Sequence, residues 1–284
     1  MRTRVLITND DGIGAPGLHW LARVATDRGL DVVVAAPKSE SSGSSAAMNA
    51  VEHGGKVIVT EWPLDGVPDA ACFAVDASPA FIALLGMHGA FGDPPQVVLS
   101  GVNRGANAGR AMLHSGTAGA AFTAAANGAH GMAVSLDVLS AITASAASGG
   151  AAVRKVTAED RQKDHRRNWV TAATLALDLL PDLMAGPVET ILNVNSPDVA
   201  RHRLRGVRRS ELACFGQVQM TVAEAGTGFV RTALEEPGEV AQPGTDLAHL
   251  AQGYATVTTL RALTETDDDL EGLRGWQERS EGAS

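Results

Sequence analysis

The strongest constraint on this chain is a pattern met three times, a short apolar run that stops abruptly at a polar loop. Val5-Leu6-Ile7-Thr8 runs into Asn9-Asp10-Asp11-Gly12. Val32-Val33-Val34-Ala35-Ala36 runs into a Ser- and Gly-rich stretch from Lys38 to Ser45, and Gln96-Val97-Val98-Leu99-Ser100 into a Gly- and Asn-rich stretch from Gly101 to Gly119. Such unbroken runs suit parallel strands covered on both faces. Between the first two, Pro16 opens a segment in which Leu18, Leu21, Val24 and Ala25 recur at helical spacing until Gly29, with Pro and Gly where a helix begins and ends. A helix from about Pro79 to Gly89 precedes the third run, and an Ala-rich helix ending near Asn127 precedes a further strand, Met132-Ala133-Val134-Ser135. This alternation predicts an α/β fold with a doubly wound sheet. Ligands of such sheets sit beyond the carboxyl ends of the strands, so the three loops are expected to converge on one site.

The rest of the chain is less regular. Lys56–Glu61 reads as a strand, Leu139–Val153 is biased toward Ala, Ser and Gly, and 157–168 is a charged run without an apolar face, read as an exposed insertion. Val170, Ala173, Leu177 and Leu180 restore a helical face, and Thr190–Val194 is another strand. After Leu204, short segments at 218–222, 229–233 and 254–260 suggest strands or hairpins of an appendage. The expected organisation is a core over 1–200 with an insertion at about 139–168, a C-terminal region over 201–263 that returns to the core, and an acidic tail over 264–284.

With 284 residues and 45% hydrophobic composition the chain buries a large core, which excludes a disordered protein. Its formal charge of −9 repels DNA, RNA and acidic membranes on average, so neither a polynucleotide nor a membrane is expected as partner. A small phosphorylated substrate stays possible, because a bound cation or a helix N-terminus reverses the potential locally. Cys72 and Cys214 are too few for a disulfide framework. The apolar run after Met1 is too short for a signal peptide, and no stretch approaches the length of a membrane helix, so a cytoplasmic protein is expected.

Chemistry concentrates in the loops. Adjacent carboxylates at the end of a buried strand repel each other unless a cation neutralises them, so Asp10-Asp11 suggests a divalent metal; the competing reading is one Asp capping the next helix and the other facing water. Ser42 and Asn103, on neighbouring loops, would complete a hard oxygen shell suited to Mg²⁺ or Mn²⁺. The small residues of Gly101–Gly109 let backbone N–H groups approach an anion, or simply make a tight connection. Ser115-Gly116-Thr117 stand where a helix N-terminus would bind phosphate, or where a Ser cap would be expected anyway. His114 abuts them as a possible proton donor, although a structural histidine is the commoner case.

TNDDGIGAPG at 8–17, VVVAAP followed by Ser41-Ser42-Gly43, LSGVNRGANAG at 99–109 and HSGTAGAA at 114–121 together resemble the SurE family of 5′/3′-nucleotidases. The resemblance continues through Leu192–Pro197, Thr245-Asp246 and Gly253-Tyr254, nearly the whole chain. It implies a Rossmann-like, mostly parallel core, a C-terminal β-hairpin used in homodimer or homotetramer assembly, and metal-dependent hydrolysis of nucleoside monophosphates. Carried across by residue, Asp10, Asp11, Ser42 and Asn103 would hold one divalent ion, Mg or Mn, with Asp10 or Asp11 accepting the proton of the attacking water. Asn107, Ser115, Gly116 and Thr117 would cradle phosphate, and Asn9 would shape the first loop. The chain departs from the family in carrying Ala77-Ser78-Pro79-Ala80 for the usual Gly-Thr-Pro-Ala, and Thr123 for the usual Glu. An aspartyl-phosphate phosphatase would need an Asp-x-Asp pair, and a receiver module a phosphoacceptor Asp and a later Lys; neither pattern fits. A nucleotide-binding relative with little turnover, or a phosphatase for another phosphoester, remains the alternative.

Overall fold

The computed structural model describes residues 2–41, 43–138, 163–214, 219–235 and 241–261. The first apolar run is β1 (Arg4–Thr8), the second β2 (Asp31–Pro37), and the third begins β7 (Val97–Arg104). With β8 (His130–Asp137) and β9 (Thr190–Pro197) they pair in parallel, in the order β9-β8-β7-β1-β2. Beyond β2 lie β6 (Ala71–Val75), parallel to it, and the antiparallel edge strand β5 (Val59–Glu61). The expected strand at 56–61 is split, since its first part, β4 (Lys56–Val57), pairs with β3 (Glu52–His53) in a separate ribbon.

Helices cover both faces. α1 (Pro16–Asp27) buries Leu18, Leu21, Ala22 and Ala25, the i, i+3, i+4, i+7 stripe an amphipathic helix turns to a core. α4 (Trp169–Ala185) joins it on that face, with Trp169 among the largest fully buried side chains. On the other face α2 (Pro79–Met87) packs against α3 (Gly116–Ala126). Most of α3 is buried, and its small Ala and Gly residues suit that position. A Cβ on Gly119 would stand 2.1 Å from the Ser45 carbonyl oxygen, so only glycine lets the loop after β2 run across this helix.

The C-terminal region divides between the main sheet and a hairpin. β13 (Ala255–Arg261) enters the main sheet antiparallel to β9, and β10 (Val207–Arg209) pairs in parallel outside it, giving nine strands in the order β10-β13-β9-β8-β7-β1-β2-β6-β5. The Thr and Val alternation of β13 buries Ala255, Thr256 and Thr258 against β9, so its partner is the core edge. Among the described residues of this region, β11 (Gln219–Gly226) and β12 (Phe229–Glu235) form a separate hairpin. The Ala/Ser-rich segment 139–153 and the tail 264–284 lie outside the described residues, and no described helix is long and apolar enough to cross a membrane.

The charged run at 157–168 also reads differently at its end. Asp164 is buried and pairs with Arg104 and Arg167, and its carbonyl accepts the Trp169 indole N–H at 2.7 Å. Lack of an apolar face suggested exposure, but a charged side chain can be buried when its partners are buried with it.

Candidate active site

β7 does not end at Ser100 as its apolar run suggested. It continues to Arg104 through a bulge in which Gly101 and Val102 oppose Val134 alone, between the pairs Ser100↔Ala133 and Asn103↔Ser135. The extra residue re-aims Asn103 and Arg104, a recurrent use of bulges beside functional sites. The Asn103 side-chain N–H donates to the Gly105 carbonyl at 2.8 Å, and its Oδ1 has no partner among the described residues. The side chain of this buried residue is thereby held with its amide oxygen left to accept.

The β1 loop is shaped by Asn9, whose side chain donates to the Gly12 carbonyl at 3.0 Å and accepts the Gly12 N–H at 3.2 Å. That closed turn presents both aspartates. Asp10, 5% exposed, accepts the Thr117 hydroxyl at 2.5 Å and the Thr117 N–H at 3.2 Å. A Cβ on Gly116 would lie 2.9 Å from the Asp10 Cβ and 2.5 Å from the Ser44 hydroxyl, so the first turn of α3 closes directly on the carboxylate loop. Asp11 accepts the backbone N–H of Arg104 at 3.0 Å, tying the β1 loop to the residue after Asn103. Burial, then the Asp10 charge, lifts the Asp11 carboxyl well above the ordinary carboxylate range, with Glu40 adding to the rise and the Arg104 bonds and charge offsetting part of it. Burial also raises Asp10, against the pull of its Thr117 bonds. Two crowded carboxylates destabilised by their own charge, beside an unpartnered amide oxygen, form a donor set that fits a hard divalent cation. Ser42 lies outside the described residues; its neighbour Ser41 donates its N–H to the Asp10 carbonyl at 2.7 Å.

Of the phosphate-cradle candidates, Ser115 meets its alternative reading as a cap, and Thr117 has a partner the sequence did not foretell. The Ser115 hydroxyl caps α3 by accepting the Ala118 N–H at 3.1 Å, and the Thr117 hydroxyl faces Asp10. The Gly116 N–H, in contrast, meets no acceptor among the described residues, which leaves a donor at the positive end of the helix. Asn107 is held on three sides. Its N–H donates to Asn195 Oδ1 at 2.8 Å, its side chain donates to the Ser135 hydroxyl at 3.1 Å, and its carbonyl accepts from Asn193 at 2.7 Å and Asn195 at 3.1 Å. His114 is exposed at the end of a 3₁₀ helix over Gly109–His114, and its ring bonds to none of the described residues.

Several site residues escaped sequence reasoning. Asn193 and Asn195 alternate in a strand otherwise apolar, and two polar residues at i and i+2 on a buried face were the available signal. Asn103, Ser135, Asn195 and Thr256 are register neighbours across β7, β8, β9 and β13, a polar row at the carboxyl side of the sheet. Asp246, at the start of α5 (Asp246–Ala251), accepts the Gly109 N–H at 2.7 Å and the Ala213 N–H at 3.0 Å. It thus pins the end of the Asn107 loop from the C-terminal region. Burial raises its carboxyl above the ordinary range despite these bonds.

The sequence profile of the family described as "Survival protein SurE" matches residues 5–218. The chain is 30% identical over 277 residues to "5'-nucleotidase SurE" of Paramagnetospirillum magneticum, covering 95% of this chain and 94% of that one. It is 31% identical over 281 residues to the protein of the same name from Pseudomonas putida, covering 97% and 98%. The crystal structure of SurE protein from Aquifex aeolicus has the same fold, with a TM-score of 0.70 at 24% identity over 96% of this chain and 99% of that one. With its motif loops gathered at one end of one sheet and relatives matched along almost its whole length, the protein belongs to the SurE family.

Proposed function

We propose that this chain is a 5′-nucleotidase that hydrolyses nucleoside monophosphates to nucleoside and phosphate and depends on one divalent cation, Mg²⁺ or Mn²⁺. The observation that carries the reading is the closure of the first turn of α3 on the paired-carboxylate loop, Thr117 on Asp10, where the helix end would receive an anion beside a loop suited to a cation. The names of the relatives agree with it. Asp10, Asp11 and Asn103, with Ser42 from the adjoining loop, would hold the cation. A cation there supplies Lewis acidity that offsets charge in the transition state and makes water acidic enough to attack near neutral pH.

The chain's own groups divide the remaining work. Both Asp10 oxygens are engaged by Thr117, whereas Asp11 accepts Arg104 through Oδ2 alone, so Asp11 Oδ1 is the better placed to take the proton of an attacking water. The Gly116 N–H and the end of the α3 dipole orient the phosphate, and the Ser115 hydroxyl proton, which the cap does not use, adds a donor. Phosphate release from nucleoside monophosphates should vanish on EDTA treatment and return with Mn²⁺ or Mg²⁺. Undiminished turnover after chelation would contradict the metal dependence, and no release with either metal would contradict the activity itself.

The hairpin of β11 and β12 is read as an arm for assembly into homodimers or homotetramers. Val222, Phe229 and Val230 are exposed on it, a concentration of apolar surface that a partner would cover. Replacing all three by Ser should lower the mass measured by light scattering; an unchanged mass would show that the arm does not assemble the protein.

A further inference from the structure

A cavity of about 320 Å³ opens at the carboxyl ends of the parallel strands β2 and β6, its lining including Lys38, Ser41, Ser44, Val51, Asp76 and Ala77. Its volume is within the range of small-molecule sites and its position is where doubly wound sheets bind ligands. It shares a wall with the site already described. Ser41 donates its N–H to the Asp10 carbonyl, and the Ser44 hydroxyl lies against Gly116, whose N–H is the unpartnered donor at the head of α3. The Ser44 hydroxyl is itself buried without a hydrogen-bond partner, a polar atom left for a ligand to satisfy.

At the other side of the cavity stands Asp76, partly buried, its carboxylate without a hydrogen bond or ion pair among the described residues. Its backbone is fixed from both sides, because the N–H donates to the Ile58 carbonyl at 3.1 Å and the carbonyl accepts the Val51 N–H at 2.8 Å. An ionised carboxylate only accepts hydrogen bonds and repels phosphate, so its complement is a pair of hydroxyls at the end of the ligand away from the phosphate. A second cation is a poorer complement, since Lys38 lines the same cavity. Val51, Ala77 and Val75 supply apolar wall for a flat base. The wall is steadied by Ser78, whose hydroxyl donates to the Ala47 carbonyl and accepts the Asn49 N–H, holding the loop that closes the cavity.

We propose that this cavity is the nucleoside subsite and that Asp76 accepts the ribose hydroxyls, making ribonucleoside monophosphates better substrates than their 2′-deoxy counterparts. The inference rests on the nucleotidase reading and names its substrate class. Carboxylates hold ribose hydroxyls in the same way at other doubly wound sheets. A site built around a substrate hydroxyl rejects the analogue that lacks it, because the acceptor is left unpaired.

The test compares AMP with dAMP on the Mn²⁺-loaded full chain. The wild-type protein should favour AMP in kcat/KM by about tenfold or more. Asp76→Ala should bring that ratio close to one, and Asp76→Asn, which keeps one acceptor and the shape, should give an intermediate ratio. Equal handling of the two nucleotides by the wild type, or an undiminished ratio in either folded variant, would overturn the assignment. Hydrolysis of p-nitrophenyl phosphate by the wild type tests the phosphatase reading separately. If neither that ester nor AMP is cleaved, the activity is wrong, and calorimetric affinities for AMP and dAMP still decide the subsite: tighter binding of AMP, lost in Asp76→Ala, supports it, and equal affinities refute it.

Discussion

Asp11→Asn should lower kcat/KM for a nucleoside monophosphate by roughly a hundred- to ten-thousandfold, the range associated with a lost general base. Mn²⁺ affinity should fall with it, since a negative charge leaves the donor set and excess cation can restore only part of the turnover. The substitution preserves the acceptor for the Arg104 N–H, so the loop geometry survives and the loss reports on charge and proton transfer. Ser115→Ala gives the contrast. It removes the hydroxyl that caps α3, so stability should drop by about 1 kcal/mol. Turnover should drop by roughly ten- to a hundredfold if the hydroxyl proton reaches the phosphate in the transition state, while Mn²⁺ affinity stays near the wild-type value. Calorimetric titration of Mn²⁺ into both variants separates the two roles. Metal loss in Ser115→Ala together with retention in Asp11→Asn would reverse the assignment.

Asp164→Ala should be strongly destabilising, costing about 3–5 kcal/mol in chemical denaturation, as expected when one partner of a buried ion pair is removed. The two side chains are 10% and 8% exposed, and Asp164 is the only carboxylate paired with Arg104 among the described residues. Arg167 would keep Asp198, at 3.1 Å, so the uncompensated charge falls on Arg104. The backbone N–H of Arg104 is the donor that holds Asp11, so the cost should spread to the site and weaken Mn²⁺ binding as well. Removing the charge together with its partner, in Arg104→Met with Asp164→Leu, should recover much of the stability, because well-packed apolar replacements of a buried pair are often neutral. A loss below about 1 kcal/mol in Asp164→Ala would show that water already reaches the pair.

The outline of this fold was legible in the chain wherever a local pattern determines a local outcome. Val5–Thr8, Val32–Ala36 and Gln96–Ser100 read as buried parallel strands because a strand covered on both faces has no polar side to show, and α1 read as a helix because its stripe of Leu and Ala repeats at helical spacing. Chemistry at the ends of those strands was legible for the same reason, since topology sends consecutive strand ends of a doubly wound sheet to one edge. Local pattern failed where the partner is distant in sequence. Neither the bulge that carries β7 past Ser100 nor the choice of β9 as the partner of β13 has a signal in its own residues, as both depend on which backbone lies alongside. Asp164 looked exposed because its partner Arg104 stands sixty residues away in the chain. Ser115 and Thr117 looked alike, yet one hydroxyl caps a helix and the other bonds Asp10. By itself, then, the sequence determined the order of buried strands, the helix faces and the edge of the sheet that carries chemistry, because hydrophobic periodicity acts along the chain. Only the tertiary structure decided which polar groups meet, because each buried donor and acceptor must find its partner in space.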